Sequence, residues 1–213
     1  IMGDEVINMT IDPQDILSSI LTSLDRIDYI RPQEIPNIDL YMDQVTTFME
    51  EHLQSSKRYP EDKILTKTMI NNYAKNHLLP PPDRKKYSKE HILLLIYIYY
   101  YKGILSIGDI ERLLAPLTER FFHTDNSLSM QDIYEEVFSL EKNEVEYLKE
   151  EVIRKYKLAS DLFPEAGEED RQFLQIFSFI CLLSFDVYVK KQVIEKLIDQ
   201  LPLKNDTKKH HKE

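Results

Sequence analysis

The fold is decided by the stretch Leu65–Leu114, LTKTMINNYAKNHLLPPPDRKKYSKEHILLLIYIYYYKGILSIGDIERLL. Thr66 is an N-cap residue, and the short helix it opens must stop before Pro80, Pro81 and Pro82, which cannot continue it. Ser88 then caps a strongly apolar helix running from Lys89 to about Tyr101, which Gly103 closes. Ser106 caps another helix, with Ile107, Ile110, Leu113 and Leu114 turned inward until Pro116. The order is therefore short helix, tight proline-rich hairpin, long helix, short helix.

On the N-terminal side, Ile16, Leu17, Ile20, Leu21, Leu24 and Ile27 recur at helical spacing after Pro13, and Pro32 and Pro36 break the pattern. A second helix is expected over 38–53, with Asp39 as N-cap and Leu40, Tyr41, Val45, Phe48, Met49 and His52/Leu53 as its stripe. On the C-terminal side Ser129 opens a long helix with Ile133, Val137, Leu140, Val145, Leu148, Val152 and Tyr156 inward and an irregularity near Asn143. Pro164 and Gly167 interrupt it. A last helix, from Glu168 to Leu201, has Phe173, Ile176, Phe177, Ile180, Val187, Ile194, Ile198 and Leu201 inward. Around Phe179 to Leu183 it is apolar on all sides, so it needs cover all round, by this chain or by a second copy. The expected architecture is all-α. It divides into an N-terminal helical arm (1–36), a central helix-turn-helix module (37–116), a bundle of long helices for dimerisation or sensing (117–203) and a charged tail (204–213).

The chain has 213 residues, enough for one ordinary domain or two small ones, and its composition (42% hydrophobic, 30% charged) suits a fold in water. Only four glycines occur, Gly3, Gly103, Gly108 and Gly167, so a phosphate cradle built from clustered glycine amides is not expected; Asp109 stands where a P-loop would place lysine. One cysteine, Cys181, buried by its apolar setting, forbids an intrachain disulfide and a thiolate zinc site and fits a reducing, cytoplasmic setting. No secretory signal is read at the N-terminus. Phe173–Val189 is slightly short for a membrane span and carries Gln175, Ser178, Ser184 and Asp186, so a buried helix is expected there.

The net charge of −10 argues against a polyanionic partner until its distribution is considered. Between Lys57 and Lys102 ten basic residues face four acidic ones, a local balance of +6 that leaves −16 on the remainder. At physiological salt, charges separated by more than about 8 Å are largely screened, so a basic face can act apart from an acidic body.

On the helix opened by Thr66, 100° per residue puts Ile70, Tyr73 and Ala74 on one side and Thr68, Asn71, Asn72 and Lys75 on the other. Such a helix fits the major groove of B-DNA, where asparagine pairs with adenine and lysine reaches guanine or phosphate. Arg84, Lys85 and Lys86 follow on the proline-stiffened hairpin, placed to grip flanking phosphates. The candidate DNA-binding set is Thr66, Lys67, Thr68, Asn71, Asn72, Tyr73, Lys75, Arg84, Lys85, Lys86 and Tyr87.

With Tyr73, HLLPPP from His77, Lys85-Lys86-Tyr87-Ser88, and Ser106, Asp109 and Ile110 in this order, the stretch resembles the winged helix-turn-helix of MerR-type transcription regulators, here with a very short wing. The layout also resembles an uncharacterised bacterial family of unknown function sharing that core. The MerR resemblance implies double-stranded DNA as partner, phosphate contact by Tyr73 and Lys85, and a homodimer. Thr68 and Asn71 stand where the family typically has arginines, and Asp83 and Arg84 where it has glycine and tyrosine.

Other chemistry has little support in the sequence. Tyr97, Tyr99, Tyr100 and Tyr101 lie on a helix dominated by Leu93, Leu94, Leu95 and Ile96, which makes them packing residues before stacking ones. His52, His77, His91 and His123 show no metal-binding spacing, and no GxSxG elbow occurs, so neither a metal, a cofactor nor an enzyme activity is expected. The leading expectation is a sequence-specific DNA-binding regulator outside the membrane; cavities between helices are common ligand sites, and the sequence leaves open whether its C-terminal helices enclose a small-molecule effector. The alternative is a protein-interaction or ligand-sensing module that kept the scaffold and lost DNA binding.

Overall fold

The short helix and the apolar helix form where their caps and prolines require, as α3 (Lys67–Lys75) and α4 (Lys89–Tyr101), in a computed structural model that describes residues 13–24 and 29–201. Before them come α1 (Pro13–Leu24), β1 (Leu40–Tyr41) and α2 (Met42–Leu53); β2 (Lys86–Tyr87) lies between α3 and α4. After them come α5 (Ile107–Phe121), α6 (Met130–Ser160) and α7 (Glu168–Asp199). The class is all-α, with a two-stranded antiparallel pairing of β1 on β2, Leu40 opposite Tyr87 and Tyr41 opposite Lys86. Calls on residues 1–12, Ile27 and the tail from 204 lie outside the described residues.

The chain divides into two compact units. The larger, residues 29–142 and 188–201, is assembled around α4, whose eight successive residues His91–Ile98 are all buried. Val45, Phe48, Met49 and Leu53 of α2, Ile70 and Tyr73 of α3, Ile110 and Leu114 of α5, Tyr134 and Phe138 of α6 and Ile198 of α7 share that core. Tyr97 is buried among them, and Tyr99, Tyr100 and Tyr101 pack at its edge. The buried Tyr134 hydroxyl donates to the Ile30 carbonyl at 2.9 Å, satisfying a polar group that would otherwise be costly.

The smaller unit combines residues 13–24 with 143–187. Leu17, Ile20, Leu21 and Leu24 of α1 close over Val152, Tyr156 and Ala159 of α6 and Phe179, Leu182 and Leu183 of α7. Lys155, buried on α6, is held between Glu151 of the same helix and Asp186 of α7.

Several elements depart from expectation. Residues Leu40 and Tyr41 form a strand rather than a helical turn, so α2 starts at Met42 and its cap is Tyr41, whose amide donates to Gln44 Oε1 at 2.9 Å, rather than Asp39. Helix α5 continues through Pro116 to Phe121, because the apolar face formed by Leu113, Leu114, Leu117 and Phe121 outweighs one missing backbone hydrogen bond. Helix α6 is unbroken at Asn143, and its inward face in the larger unit is Met130, Tyr134 and Phe138, with Val137 and Leu140 exposed. On α7, Phe173, Phe177, Ile180 and Val187 face water instead of a core, and Cys181 is exposed. The helix is long and apolar enough to cross a membrane, and only 6% of its most apolar window is buried.

At the start of α4 the Ser88 amide donates to His91 Nδ1 at 3.0 Å, and the Ser88 hydroxyl lies 2.8 Å from the same nitrogen. Burial lowers the His91 pKa to about 4, with nearby His123 pushing the same way. The neutral ring is the one that accepts the Ser88 amide, so His91 stabilises the fold fully above its ordinary value near 6.5 and loses that contribution as pH falls towards 4. Stability should therefore drop by as much as about 3 kcal/mol over that interval. In denaturant titrations His91→Gln, which can keep the cap without titrating, should flatten the slope.

Candidate nucleic-acid interface

Helix α3 is opened by Thr66, whose hydroxyl accepts the Met69 amide at 3.2 Å. Ile70 and Tyr73 anchor the helix in the core, and Lys67, Thr68, Asn71, Asn72 and Lys75 are exposed, as the 100° arithmetic requires. Asn76, one residue further, is also exposed and is the helix C-cap; carrying the same arithmetic one residue on finds it. Lys67 is ion-paired with Asp43 of α2.

The helix ends in a Schellman motif. The Leu78 amide donates to the Tyr73 carbonyl at 2.9 Å and the His77 amide to Ala74 at 3.3 Å, with Leu78 and Tyr73 both buried. The motif needs a left-handed residue at His77, where φ is 60°. The loop joining α2 to α3 is held by buried Ile64 and Leu65 and by the Lys102 ammonium, which donates to the Ile64 carbonyl at 2.7 Å. Arg58 lies over the Tyr59 ring at 5.2 Å on the exposed part of that loop, an exposed cation outside the expected contact set, with Glu61 and Asp62 close by in sequence.

The wing is a tight turn. Lys86 donates its amide to the Asp83 carbonyl at 2.8 Å, and the two residues between, Arg84 and Lys85, both have positive φ, 47° and 68°. That is the signature of a type I′ hairpin turn, a conformation usually given to Asn-Gly. Here it carries two long cations, both exposed. Lys86 is half-buried, its ammonium 5.4 Å from the Tyr41 ring centre across the β1–β2 pairing.

Tyr73 and Tyr87 are placed differently from the other expected contact residues. Both are buried in the core, and burial raises their pKa above the ordinary phenol value. They hold α3 and β2 in place and do not form part of the exposed face.

Behind the wing, His123 Nε2 lies 3.0 Å from the Ser88 hydroxyl and 3.2 Å from Glu90, which also accepts the His123 amide at 2.8 Å. A cavity of about 220 Å³ opens there, lined by Asn37, Asp39, Ser88, Lys89, Glu90 and His123 among others, with room for a small polar molecule only. Among the described residues no cluster of three or more His, Cys, Asp or Glu is poised to hold a metal.

A domain of unknown function, DUF1836, matches residues 30–137, just over half of the chain, and the chain belongs to that family. The matched segment carries α2, α3, the wing, α4, α5 and the first turns of α6. No curated protein and no solved structure matches the chain.

Left-handed backbone at a residue with a side chain costs about 1 kcal/mol, which glycine avoids. His77→Gly, Arg84→Gly and Lys85→Gly should therefore each raise stability by about 0.5 to 1 kcal/mol, read as an upward shift of the urea midpoint with an unchanged slope.

Proposed function

We propose that this member of the DUF1836 family is a sequence-specific DNA-binding regulator that lays α3 in a major groove and sets the Asp83–Lys86 turn against the flanking backbone, in the manner of a MerR-like winged helix-turn-helix. The observation that carries the reading is the turn itself: two adjacent residues in left-handed backbone present two exposed cations, separated by eight residues from the end of a helix whose exposed side chains are all polar. Strain of this kind persists where it serves a site. The reading surface is then Thr68, Asn71, Asn72 and Lys75 for bases, with Lys67, Arg84 and Lys85 for phosphates. Tyr73 and Tyr87 act by positioning.

A protein-interaction module is the second reading, favoured by one observation: Lys67 faces Asp43 in an exposed ion pair, in a chain of net charge −10. Mobility-shift assays with genomic fragments at low salt separate the two. Sequence-selective retention that weakens with salt supports the regulator; its absence supports the module.

Under the first reading Asn71→Ala should cost about 1 to 3 kcal/mol and relax preference at one base pair, seen in binding selections from randomised sites. Lys85→Ala should weaken all sequences alike and lower the salt slope by about 1. The double change Arg84→Gly/Lys85→Gly should raise stability while reducing affinity, which separates the turn's cations from its folding.

A further inference from the structure

Residues 41–43 bridge the wing and α3. Tyr41 pairs across the ladder with Lys86, the last residue of the turn, whose ammonium lies 5.4 Å from its ring centre. Two residues on, Asp43 is ion-paired with Lys67, the first residue of α3. The bridge lies at the surface. The side chains of Lys67 and Asp43 are 61% and 75% exposed, and Tyr41 is 53% exposed, because the strand alternation that turns Leu40 into the core turns Tyr41 out of it. Among the described residues the Tyr41 hydroxyl takes part in no hydrogen bond. We infer that Tyr41 is a further DNA contact, its hydroxyl donating to a phosphate oxygen on the stretch of backbone between those held by Lys67 and by the wing. This rests on the DNA-binding reading above.

Three properties favour the contact. The joint between a helix laid in a groove and a wing set on its flank is where the sugar-phosphate backbone must pass, and tyrosine is among the side chains that donate to phosphate there. Lys67, Arg84, Lys85 and Lys86 bracket the ring, against Asp39, Asp43 and Asp83, of which Asp43 is engaged by Lys67. The local balance is positive. A tyrosine also gives up only two side-chain torsions on binding, and the Lys86 ammonium already restrains this one.

The test uses the full chain and the duplex of about 30 base pairs that it selects from a randomised pool. Tyr41→Phe keeps the ring beside Lys86 and loses only the hydroxyl. It should bind about tenfold more weakly, select the same sequence and keep the wild-type salt slope, since a neutral donor releases no counter-ion. A scan of methylphosphonate linkages then locates the partner. At one backbone position the neutral linkage should weaken the wild type and leave Tyr41→Phe unaffected, the coupling expected of groups in contact. Wild-type affinity in Tyr41→Phe, or a loss in which every methylphosphonate acts on both proteins alike, would overturn the inference and leave the DNA-binding reading standing. A lowered urea midpoint without a coupled position marks a structural hydroxyl and overturns it as well. A wild type that retains no duplex removes both.

Discussion

The larger unit depends on one constraint: a helix whose every side is apolar must be enclosed. The run His91–Ile98 of α4 gives the surrounding segments no polar face to leave open, so α2, α3, α5, the start of α6 and the end of α7 all contribute to one core around it. The wing inherits its position from this. Tyr87 sits in the core, Ser88 caps α4, and the short turn from Asp83 to Lys86 is left with nowhere to go but outward. The exposed face of α3 follows similarly, because Ile70 and Tyr73 are committed to the same core.

Where sequence signals are local, the elements were legible. Thr66 and Ser88 place the starts of α3 and α4 to the residue, since a cap acts within one turn, whereas the three prolines set only an outer limit for α3, five residues beyond its end at Lys75. Where pairing is distant, they were not. Leu40 and Tyr41 satisfy a helical stripe, yet form a strand because Tyr87 and Lys86, some 45 residues on, offer them a ladder. On α6, Val137 and Leu140 and their neighbours Tyr134 and Phe138 both satisfy helical spacing; ring contacts with the distant Tyr29 and Tyr97, together with the hydroxyl bond to Ile30, select the second face. Periodicity also cannot say which side of a doubly apolar helix its own chain will cover, which is why Phe173, Phe177 and Ile180 were expected inside.

The candidate interface divides along the same line. The outward set on α3 follows from helix geometry alone. The same arithmetic sets Tyr73 on the packing side with Ile70, against the phosphate contact that the resemblance implies, whereas Tyr87 lies outside any helix and carries no such signal. The left-handed pair Arg84 and Lys85 was illegible for another reason: no glycine or asparagine marks the turn, so the hairpin reads merely as abbreviated.

In the smaller unit, Lys155 carries a consequence for how its helices can move. An ammonium shut away from water is tolerable only beside Glu151 and Asp186. Sliding α7 along α6 by one helical turn would part the ammonium from Asp186 and leave it with Glu151 alone, which travels with it on α6. The ammonium therefore favours the one register of the two rods in which both carboxylates reach it.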